Sequence, residues 1–419
     1  MAHNTSKYRP RYDSRGIALR TGEWQRKSGR YEYQYKDAVG IWHKVSAATL
    51  DTLREKEKEI DRDVADGIAV KKKSVTLDKY YTVWKSTKAG IRDNVKSNYI
   101  DMYETHIRPV LGKRSIKTIK TSDVKSLYVS MLKKGYSIGT IDNVHTVLHQ
   151  ILQLAYEDDV LRRNPSDKCM KEIKNSAPSV MPGRKRIALT PEQQERFRTA
   201  LTEYDTQHDS NWYPLFVFAM TTGLRLGEFT ALQWSDIDWN ARTVTVSKTL
   251  VYYPDRATGK QVLTVHPAPK TKQGIRTVPL TSLAYEAISL QYDRTRKSGR
   301  QCAVTVDHYD DFIFLNRFNA PYTQGNLNKV LRERILPEAN DKAVKDRLVI
   351  IPPISCHSLR HTCCSVLCRA GLNIKTIQKL MGHKDIRTTL DLYTEFTGKD
   401  LQDGIAQVDD YMDAYLTSH

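Results

Sequence analysis

The chain has 419 residues, with 66 Lys plus Arg against 48 Asp plus Glu and a formal net charge of +18. This length predicts two or three domains, each able to bury a core of its own. The charge favours a polyanionic partner, nucleic acid before a membrane surface, over an acidic protein or a neutral substrate. The N-terminus is polar and basic, and no apolar run reaches membrane-spanning length. We therefore expect a cytoplasmic protein.

Residues 1–70 are predicted to form a small sheet domain. Tyrosines alternate with polar residues in "RYEYQYK", the period-two pattern of a half-buried strand. Turn signals flank it, "IWHKV" predicts another strand, and a helix follows from Thr49. A three-stranded sheet with one helix suits DNA contact, although a solvated basic face is the alternative reading. The candidate DNA contacts are Arg26, Lys27, Arg30, Tyr33 and Tyr35.

A second domain, all helical, is predicted over residues 71–170. It opens with the charge run "KKKSVTL", whose residues Lys71, Lys72 and Lys73 suit a linker that also touches phosphate. Helical patterns then continue to about residue 164, and Thr140 is placed as a helix cap. The strongest apolar face consists of Val144, Val147, Leu148, Ile151 and Ala155. A compact bundle with lysines facing DNA is the expectation.

The third domain, residues 185–400, is predicted to be mainly helical with a small antiparallel sheet, which makes the whole chain a multidomain α+β protein. It starts at "LTPEQQERF", where Thr190 is an N-cap, Pro191 sits at N1 and Gln193 completes a capping box. Strands are predicted in "ARTVTVSKTLVYY" and "GKQVLTVHPAPKTKQGIRTVPL". A tail helix, 401–419, follows, with an apolar stripe of Ile405, Val408, Met412 and Tyr415. That stripe docks either on a neighbouring protomer or on its own domain.

Two arginines of the third domain suit phosphate chemistry. In "TGLRLGE", Arg225 lies where a helix begins, so its guanidinium and the unpaired backbone N–H groups can point at one anion, while Glu228 can brace the side chain. In "HSLRH", helical spacing places His357 and Arg360 on one face. Paired guanidinium groups neutralise the charge that develops on a phosphodiester under in-line attack.

Other residue types in this domain can handle protons or attack. His357, and His383 after a glycine in "MGHKD" that we place at a helix start, can accept or donate a proton near neutral pH. Lys270 in "PKTKQGIRTVPL" can protonate a leaving oxygen, and Tyr393 in "LDLYTEF" can act as a covalent nucleophile.

Metal chemistry is not expected for this site. No carboxylate cluster or zinc-ligand spacing accompanies these residues, so the prediction is a reaction without metal or cofactor. Cys364 and Cys368 with His357 and His361 mimic a zinc site, but cysteines at such positions more often pack as small core residues.

These stretches resemble the catalytic domain of the tyrosine recombinases, or phage-type integrases. The resemblance rests on "TTGLRLGEFTALQWSDID", "PKTKQGIRTVPL", "HSLRHT" and "LMGHKDIRTTLDLYTEF". The layout from about residue 10 onward is most like integrases of conjugative transposons, with an arm-type DNA-binding domain, a core-binding domain and a catalytic domain. A bacterial, nucleoid-associated protein is implied.

The resemblance also implies roles for individual residues. Tyr393 matches the nucleophile that forms a 3′-phosphotyrosyl bond, and Lys270 matches the hairpin lysine acid, with Lys272 as the alternative. Glu228 matches the acidic position after the first arginine. The phosphate-binding and proton-handling positions are matched by Arg225, His357, Arg360 and His383.

The implied activity is site-specific recombination of a mobile element, with integration and excision passing through a Holliday junction. The implied partners are core and arm-type attachment sites in double-stranded DNA, three further copies of the chain in a homo-tetramer, and an excisionase or DNA-bending protein. Two alternatives remain at this point. One is nicking and resealing by a type IB topoisomerase, and the other is a non-catalytic DNA-binding regulator.

Overall fold

The computed structural model describes residues 11–37, 40–65, 75–176, 187–256, 258–267, 275–383, 385–387 and 389–390. The chain divides into two compact units, Met1–Gly183 and Arg184–His419. Several residues named above lie outside the described ranges: Lys71, Lys72, Lys73, Lys270, Lys272, Tyr393 and the tail 401–419.

The first unit opens with short antiparallel strands and one helix. These elements are β1 Arg11–Tyr12, β2 Ala18–Leu19, β3 Glu23–Gln25, β4 Tyr31–Lys36, β5 Trp42–Ala47 and α1 Leu50–Ala65. The predicted three-stranded sheet consists of β3, β4 and β5, with β4 in the centre. Tyr31 and Ala47 pack with Leu50 and Leu53, which fixes α1 on one face of the sheet. The predicted sheet and helix are confirmed.

The rest of the first unit is a helical bundle. Its helices are α2 Leu77–Thr87, α3 Asp93–Met102, α4 Thr121–Lys133, α5 Ile138–Glu157 and α6 Cys169–Ser176, and a π-helical segment, Tyr103–Gly112, continues α3. The predicted apolar face of α5 is buried in the bundle core. The placement of Thr140 as a cap is wrong. Ser137 caps α5, and its Oγ accepts the backbone N–H of Thr140 at 3.2 Å.

In its described residues, the second unit combines helices with two small antiparallel sheets. Its helices are α7 Pro191–His208, α8 Trp212–Thr222, α9 Leu226–Thr230, α10 Ser282–Ser298, α11 Gln324–Val330, α12 Leu336–Asp346, α13 Cys356–Arg369 and α14 Ile374–Met381. Its strands are β6 Ile237–Asp238, β7 Thr243–Val246, β8 Lys248–Pro254, β9 Gln261–Pro267 and β10 Arg276–Pro279. Strands β10, β7 and β6 form one sheet, and β8 and β9 form a hairpin. The predicted capping box of Thr190 and Gln193 begins α7.

Helix α8 lies at the centre of this unit. Its sequence "WYPLFVFAMTT" is apolar on every side and almost wholly buried, as expected for a helix surrounded by others. Helices α7, α10 and α13 all pack against it. The end of α8 is therefore held between elements that are distant in sequence, and the candidate site is built there. Within the described ranges, no helix is both long and apolar enough to cross a membrane.

Candidate active site

The joint between α8 and α9 depends on two glycines. Gly223 ends α8 in the left-handed conformation, with φ of 62°, and a Cβ there would lie 2.9 Å from Cys363 Sγ on α13. At Gly227 a Cβ would lie 2.7 Å from the carbonyl oxygen of Leu250 on β8. Both glycines let the joint approach its neighbours closely. Arg225, between them, is the N-cap residue of α9, as the sequence predicts.

Arg225 is braced on one side and open on the other. Its Nη1 donates to Glu228 Oε1 at 2.9 Å, its backbone N–H donates to Glu228 Oε2 at 2.8 Å, and its Nη2 donates to the carbonyl of Gly382. The side chain is nevertheless 44% exposed. A braced but accessible guanidinium still has N–H groups to offer an anion.

Arg360, by contrast, is enclosed. It lies on α13 one turn after His357 and is 3% exposed. Its Nη1 donates to the carbonyl of Gly223 at 2.7 Å, and its Nη2 donates to the carbonyl of Met381. Burial, reinforced by the charge of Arg225, lowers the pKa of Arg360 to about 10. The guanidinium of Arg360 stays cationic at neutral pH, so it is a fixed, buried positive charge close to Arg225.

His383 follows α14 and sits close to these cations. Gly382, which the sequence placed at a helix start, is the left-handed cap that ends α14, and helical residues begin again at Ile386, after His383. The imidazole Nδ1 of His383 lies 2.9 Å from Thr389 Oγ1, which orients the ring. Burial and then the charges of Arg360 and Arg225 lower the pKa of His383 to about 4. The ring is therefore neutral at physiological pH.

His357 shares a cleft with Arg225. The cleft has a volume of about 350 Å³, and its walls include Tyr252 on β8, Tyr322 and Gln324. The His357 side chain is exposed, and its ring packs edge-on against His361 with centroids 4.4 Å apart. The α8–α9 joint, helix α13 and the end of α14 thus bring together the four predicted residues Arg225, Arg360, His357 and His383.

Sequence reasoning missed one member of this cluster, Arg276. It begins β10 inside the quoted stretch "PKTKQGIRTVPL", yet its side chain is 8% exposed and forms a two-point ion pair with Glu228. The local signal was weak, because an arginine at a strand start is usually solvated. Burial raises the pKa of Glu228, but the hydrogen bonds and charges of Arg276 and Arg225 outweigh it and leave that pKa below its ordinary value.

The cysteines near this site pack as core residues, as predicted. Cys363, Cys364 and Cys368 form a small cluster with Ile377 and Met381. Burial raises the pKa of Cys364 to about 12, so its thiol stays protonated at neutral pH. Among the residues that the structure describes, no group of three or more His, Cys, Asp or Glu is placed to hold a metal ion.

The predicted DNA contacts of the N-terminal sheet separate into two sets. Arg26, Lys27 and Arg30 are exposed at the turn between β3 and β4, and Arg26 forms an ion pair with Glu32. Tyr33 and Tyr35 stack on each other at 5.7 Å on the face that α1 covers, and Tyr33 packs against the core there.

The opposite face of the sheet carries aromatic and basic residues that sequence reasoning passed over. Lys44 lies over the Trp24 ring at 5.6 Å, and Lys36 lies over the Trp42 ring at 5.2 Å. These residues lie on the face that α1 leaves uncovered.

The fold and the similarity to known proteins place the chain in the tyrosine recombinase class, whose members transfer DNA strands. The chain belongs to the phage integrase family, whose profile matches residues 188–399. Residues 7–64 match the DNA binding domain of the Tn916 integrase.

Individual relatives cover most of the chain. The transposase from transposon Tn916 of Enterococcus faecalis is 34% identical over 400 residues, which is 92% of this chain and 94% of that one. The ICEBs1 integrase of Bacillus subtilis is 25% identical, covering 83% of this chain and 86% of the relative. Among solved structures, the Tn1549 transposon integrase in complex with transposon right end DNA superimposes with a TM-score of 0.65 at 25% identity. That match covers 78% of this chain and 99% of the other. The chain is thus a Tn916-like integrase.

Proposed function

We propose that this integrase inserts and excises a mobile DNA element through a covalent 3′-phosphotyrosyl intermediate. The observation that carries the proposal is the convergence of Arg225 and Arg360 on adjacent carbonyls, those of Gly382 and Met381, directly before His383. Two guanidinium groups and an imidazole thereby meet at one point, which suits the binding of a single phosphodiester.

In the proposed reaction the phenol oxygen of Tyr393 attacks phosphorus in line. The P–O bond to the 5′ oxygen breaks and a phosphotyrosyl ester forms. One phosphodiester is exchanged for another without hydrolysis, so the energy of the broken bond is conserved. Arg225 and Arg360 neutralise the nonbridging oxygens, while His383, neutral at physiological pH, and His357 hold or accept protons. Lys270 protonates the leaving 5′ oxygen, with Lys272 as the alternative acid.

We propose that the reaction is independent of metal ions. The two guanidinium groups provide the charge neutralisation that a divalent cation provides in metal-dependent nucleases. The covalent nucleophile also removes the need for a metal-activated water.

The proposed partners are core-type and arm-type DNA sites, a homo-tetramer on DNA and an excisionase or DNA-bending protein. The match of residues 7–64 to a DNA-binding domain and the DNA-bound Tn1549 integrase support the DNA partners. Arg26, Lys27, Arg30 and the linker residues Lys71, Lys72 and Lys73 are proposed as phosphate contacts. The tail 401–419 is proposed to contact a neighbouring protomer or its own domain.

A nicked suicide substrate tests the proposal, because loss of the short strand beyond the nick traps the covalent adduct. We expect the wild-type protein and Tyr156→Phe to form a protein–DNA adduct, and Tyr393→Phe to form none while still binding the duplex. Tyr156 is a matched control because it is an exposed tyrosine of α5. The adduct should form equally in excess EDTA. An adduct with Tyr393→Phe contradicts the assignment of the nucleophile.

A two-site assay separates recombination from the topoisomerase alternative. Recombinant products from paired attachment sites support an integrase reaction, whereas relaxation of supercoils without exchange supports nicking and resealing. Failure of the wild-type protein to form any adduct would favour a DNA-binding regulator.

A further inference from the structure

Each of the three side-chain nitrogens of Arg276 donates a hydrogen bond within the protein. Its Nη2 donates to Glu228 Oε2 at 2.7 Å, its Nη1 to Glu228 Oε1 at 3.1 Å, and its Nε to the carbonyl of Leu380 at 3.0 Å. Such a fork-to-fork pair fixes both distance and plane. Because all three of its nitrogens are held between Glu228 and Leu380, and because the Glu228 carboxylate neutralises its charge in a two-point pair, Arg276 is poorly placed to bind phosphate itself.

The same carboxylate that pairs with Arg276 also braces Arg225. Glu228 Oε1 accepts from Arg225 Nη1 and Oε2 accepts from the Arg225 backbone N–H, so both oxygens serve two arginines. Glu228 is 8% exposed, and a buried carboxylate is stable only when paired. Arg225, being half exposed, is a weak partner by itself, and Arg276 supplies the buried counter-charge.

At the other end, Arg276 reaches the last turn of α14. Three consecutive carbonyls there each accept from a different arginine: Leu380 from Arg276, Met381 from Arg360 and Gly382 from Arg225. The carbonyls at a helix C-terminus lack helical partners and carry partial negative charge, which suits cations. Gly382 fits tightly, because a Cβ there would lie 2.9 Å from the Arg276 Cζ. His383 is the next residue.

We infer that Arg276 is a positioning residue for strand cleavage. Its hydrogen bonds link Glu228 to the end of α14, so that Arg225, Arg360 and His383 face one phosphate. This role rests on the proposed function. Arg276 does not touch DNA in this assignment and acts through Glu228 and the carbonyl of Leu380. Its loss therefore lowers the rate of cleavage and leaves the binding of the duplex unchanged.

The test compares Arg276→Lys and Arg276→Gln in the full-length protein with Arg242→Lys and Arg242→Gln. Arg242 is a matched control because it lies beside the same sheet, is exposed, and packs over the Tyr285 ring at 4.6 Å. Adduct formation on the nicked substrate is timed at saturating protein, and duplex affinity and thermal unfolding are measured in parallel. We expect Arg276→Gln to slow cleavage about 100-fold with unchanged affinity. Arg276→Lys, with one point donor in place of a fork, should also be slow.

A pH profile distinguishes this role from a merely structural one. The charged groups facing Glu228 are Arg225, Arg276 and Arg360. Arg276 is the largest of the influences that lower the pKa of Glu228, so that pKa rises when Arg276 is lost. The rate of Arg276→Gln relative to wild type should therefore fall as the pH is lowered from about 8 to about 5. Adding Glu228→Gln removes that dependence, and the double variant should cleave no more slowly than Glu228→Gln alone.

The inference is overturned if folded Arg276→Lys cleaves at the wild-type rate. It is also overturned if the losses of cleavage rate in Arg276→Gln and Glu228→Gln multiply in the double variant. A loss of duplex affinity in Arg276→Gln as large as its loss of cleavage rate overturns it as well. If Arg276→Gln does not fold, Arg276→Lys decides the question. The absence of an adduct with wild-type protein overturns the proposed function itself. A wild-type adduct together with a fast Arg276→Lys overturns only the role of Arg276.

Discussion

Arg225 and Arg360 differ in how far the protein encloses them. Arg225 is 44% exposed and anchored through Glu228, whereas Arg360 is 3% exposed and anchored through two backbone carbonyls. In the proposed reaction, Arg225 can adjust to an incoming phosphate while it keeps its hydrogen bonds to Glu228. Arg360 is fixed before DNA arrives, so in that reaction its charge needs no reorganisation.

The anchoring of Arg360 predicts that lysine cannot replace it. A lysine ammonium cannot span the carbonyls of Gly223 and Met381 in the way that the two ends of a guanidinium do. We expect Arg360→Lys to slow adduct formation about 100-fold or more. Single-turnover cleavage at saturating protein measures this effect. A lysine variant with wild-type rates would show that charge alone is sufficient.

His383 predicts a dependence of stability on pH. Its pKa in the folded protein is about 4, below the ordinary 6.5, so the unfolded chain binds the proton more readily. The stability due to neutral His383 is fully present above about pH 6.5 and is lost as the pH falls towards 4. Between pH 7.5 and 5 the loss is about 1–2 kcal/mol, after allowing for solvent screening of this partly exposed ring. Urea unfolding at pH 7.5 and pH 5 should show a smaller loss of unfolding free energy for His383→Asn than for the wild-type protein. An equal loss in the two proteins would mean that His383 is not the group responsible.

At the scale of elements, the site depends on the close approach of α9 to the β8–β9 hairpin. Gly227 on α9 meets the Leu250 carbonyl of β8, which is backbone and cannot rotate away as a side chain can. The position of Arg225 is therefore coupled to the hairpin, even though the two are separated in sequence.

This contact predicts a cost for a single methyl group. We expect Gly227→Ala to destabilise the second unit by about 1–3 kcal/mol, because α9 must move away from β8. Gly325→Ala in α11 is the control, since nothing lies within 4 Å of its added Cβ, and it should be neutral or slightly stabilising. Thermal unfolding compares the two variants. Equal midpoints would mean that the joint tolerates the shift.

At the scale of the whole molecule, the positive net charge and the division into two units suit a protein that binds DNA through more than one unit. The formal charge of +18 is spread over both units, and the boundary between them falls after Gly183. Many of the basic side chains are expected to contact phosphates, which position the protein without reading the sequence.

This charge predicts steep salt dependence of DNA binding. Between about 50 and 200 mM salt we expect affinity for an attachment site to fall about 1,000-fold. Replacing Lys71, Lys72 and Lys73 with alanine should lower the slope of log affinity against log salt by about one unit for each phosphate that is no longer neutralised. Lys342→Ala is the control, because that lysine already pairs with Glu203 at 2.7 Å. If the triple alanine variant and Lys342→Ala have equal slopes, Lys71, Lys72 and Lys73 do not contact DNA phosphates.

The sequence by itself determined the local features. The capping box of α7, the buried face of α5 and the shared face of His357 and Arg360 all follow from periodicity and capping within a few residues. The family could also be recognised, because its motifs are short and contiguous.

Only the tertiary structure decided which charges share a partner and which sheet face is covered. Glu228 and Arg276 are 48 residues apart, and the carbonyls of Gly382 and Met381, which accept from Arg225 and Arg360, lie at the end of α14. Alternation places Tyr33 and Tyr35 on one face of β4 but cannot say which face α1 occupies. The partners of a buried charge are chosen by packing between distant segments, and no local pattern encodes that choice.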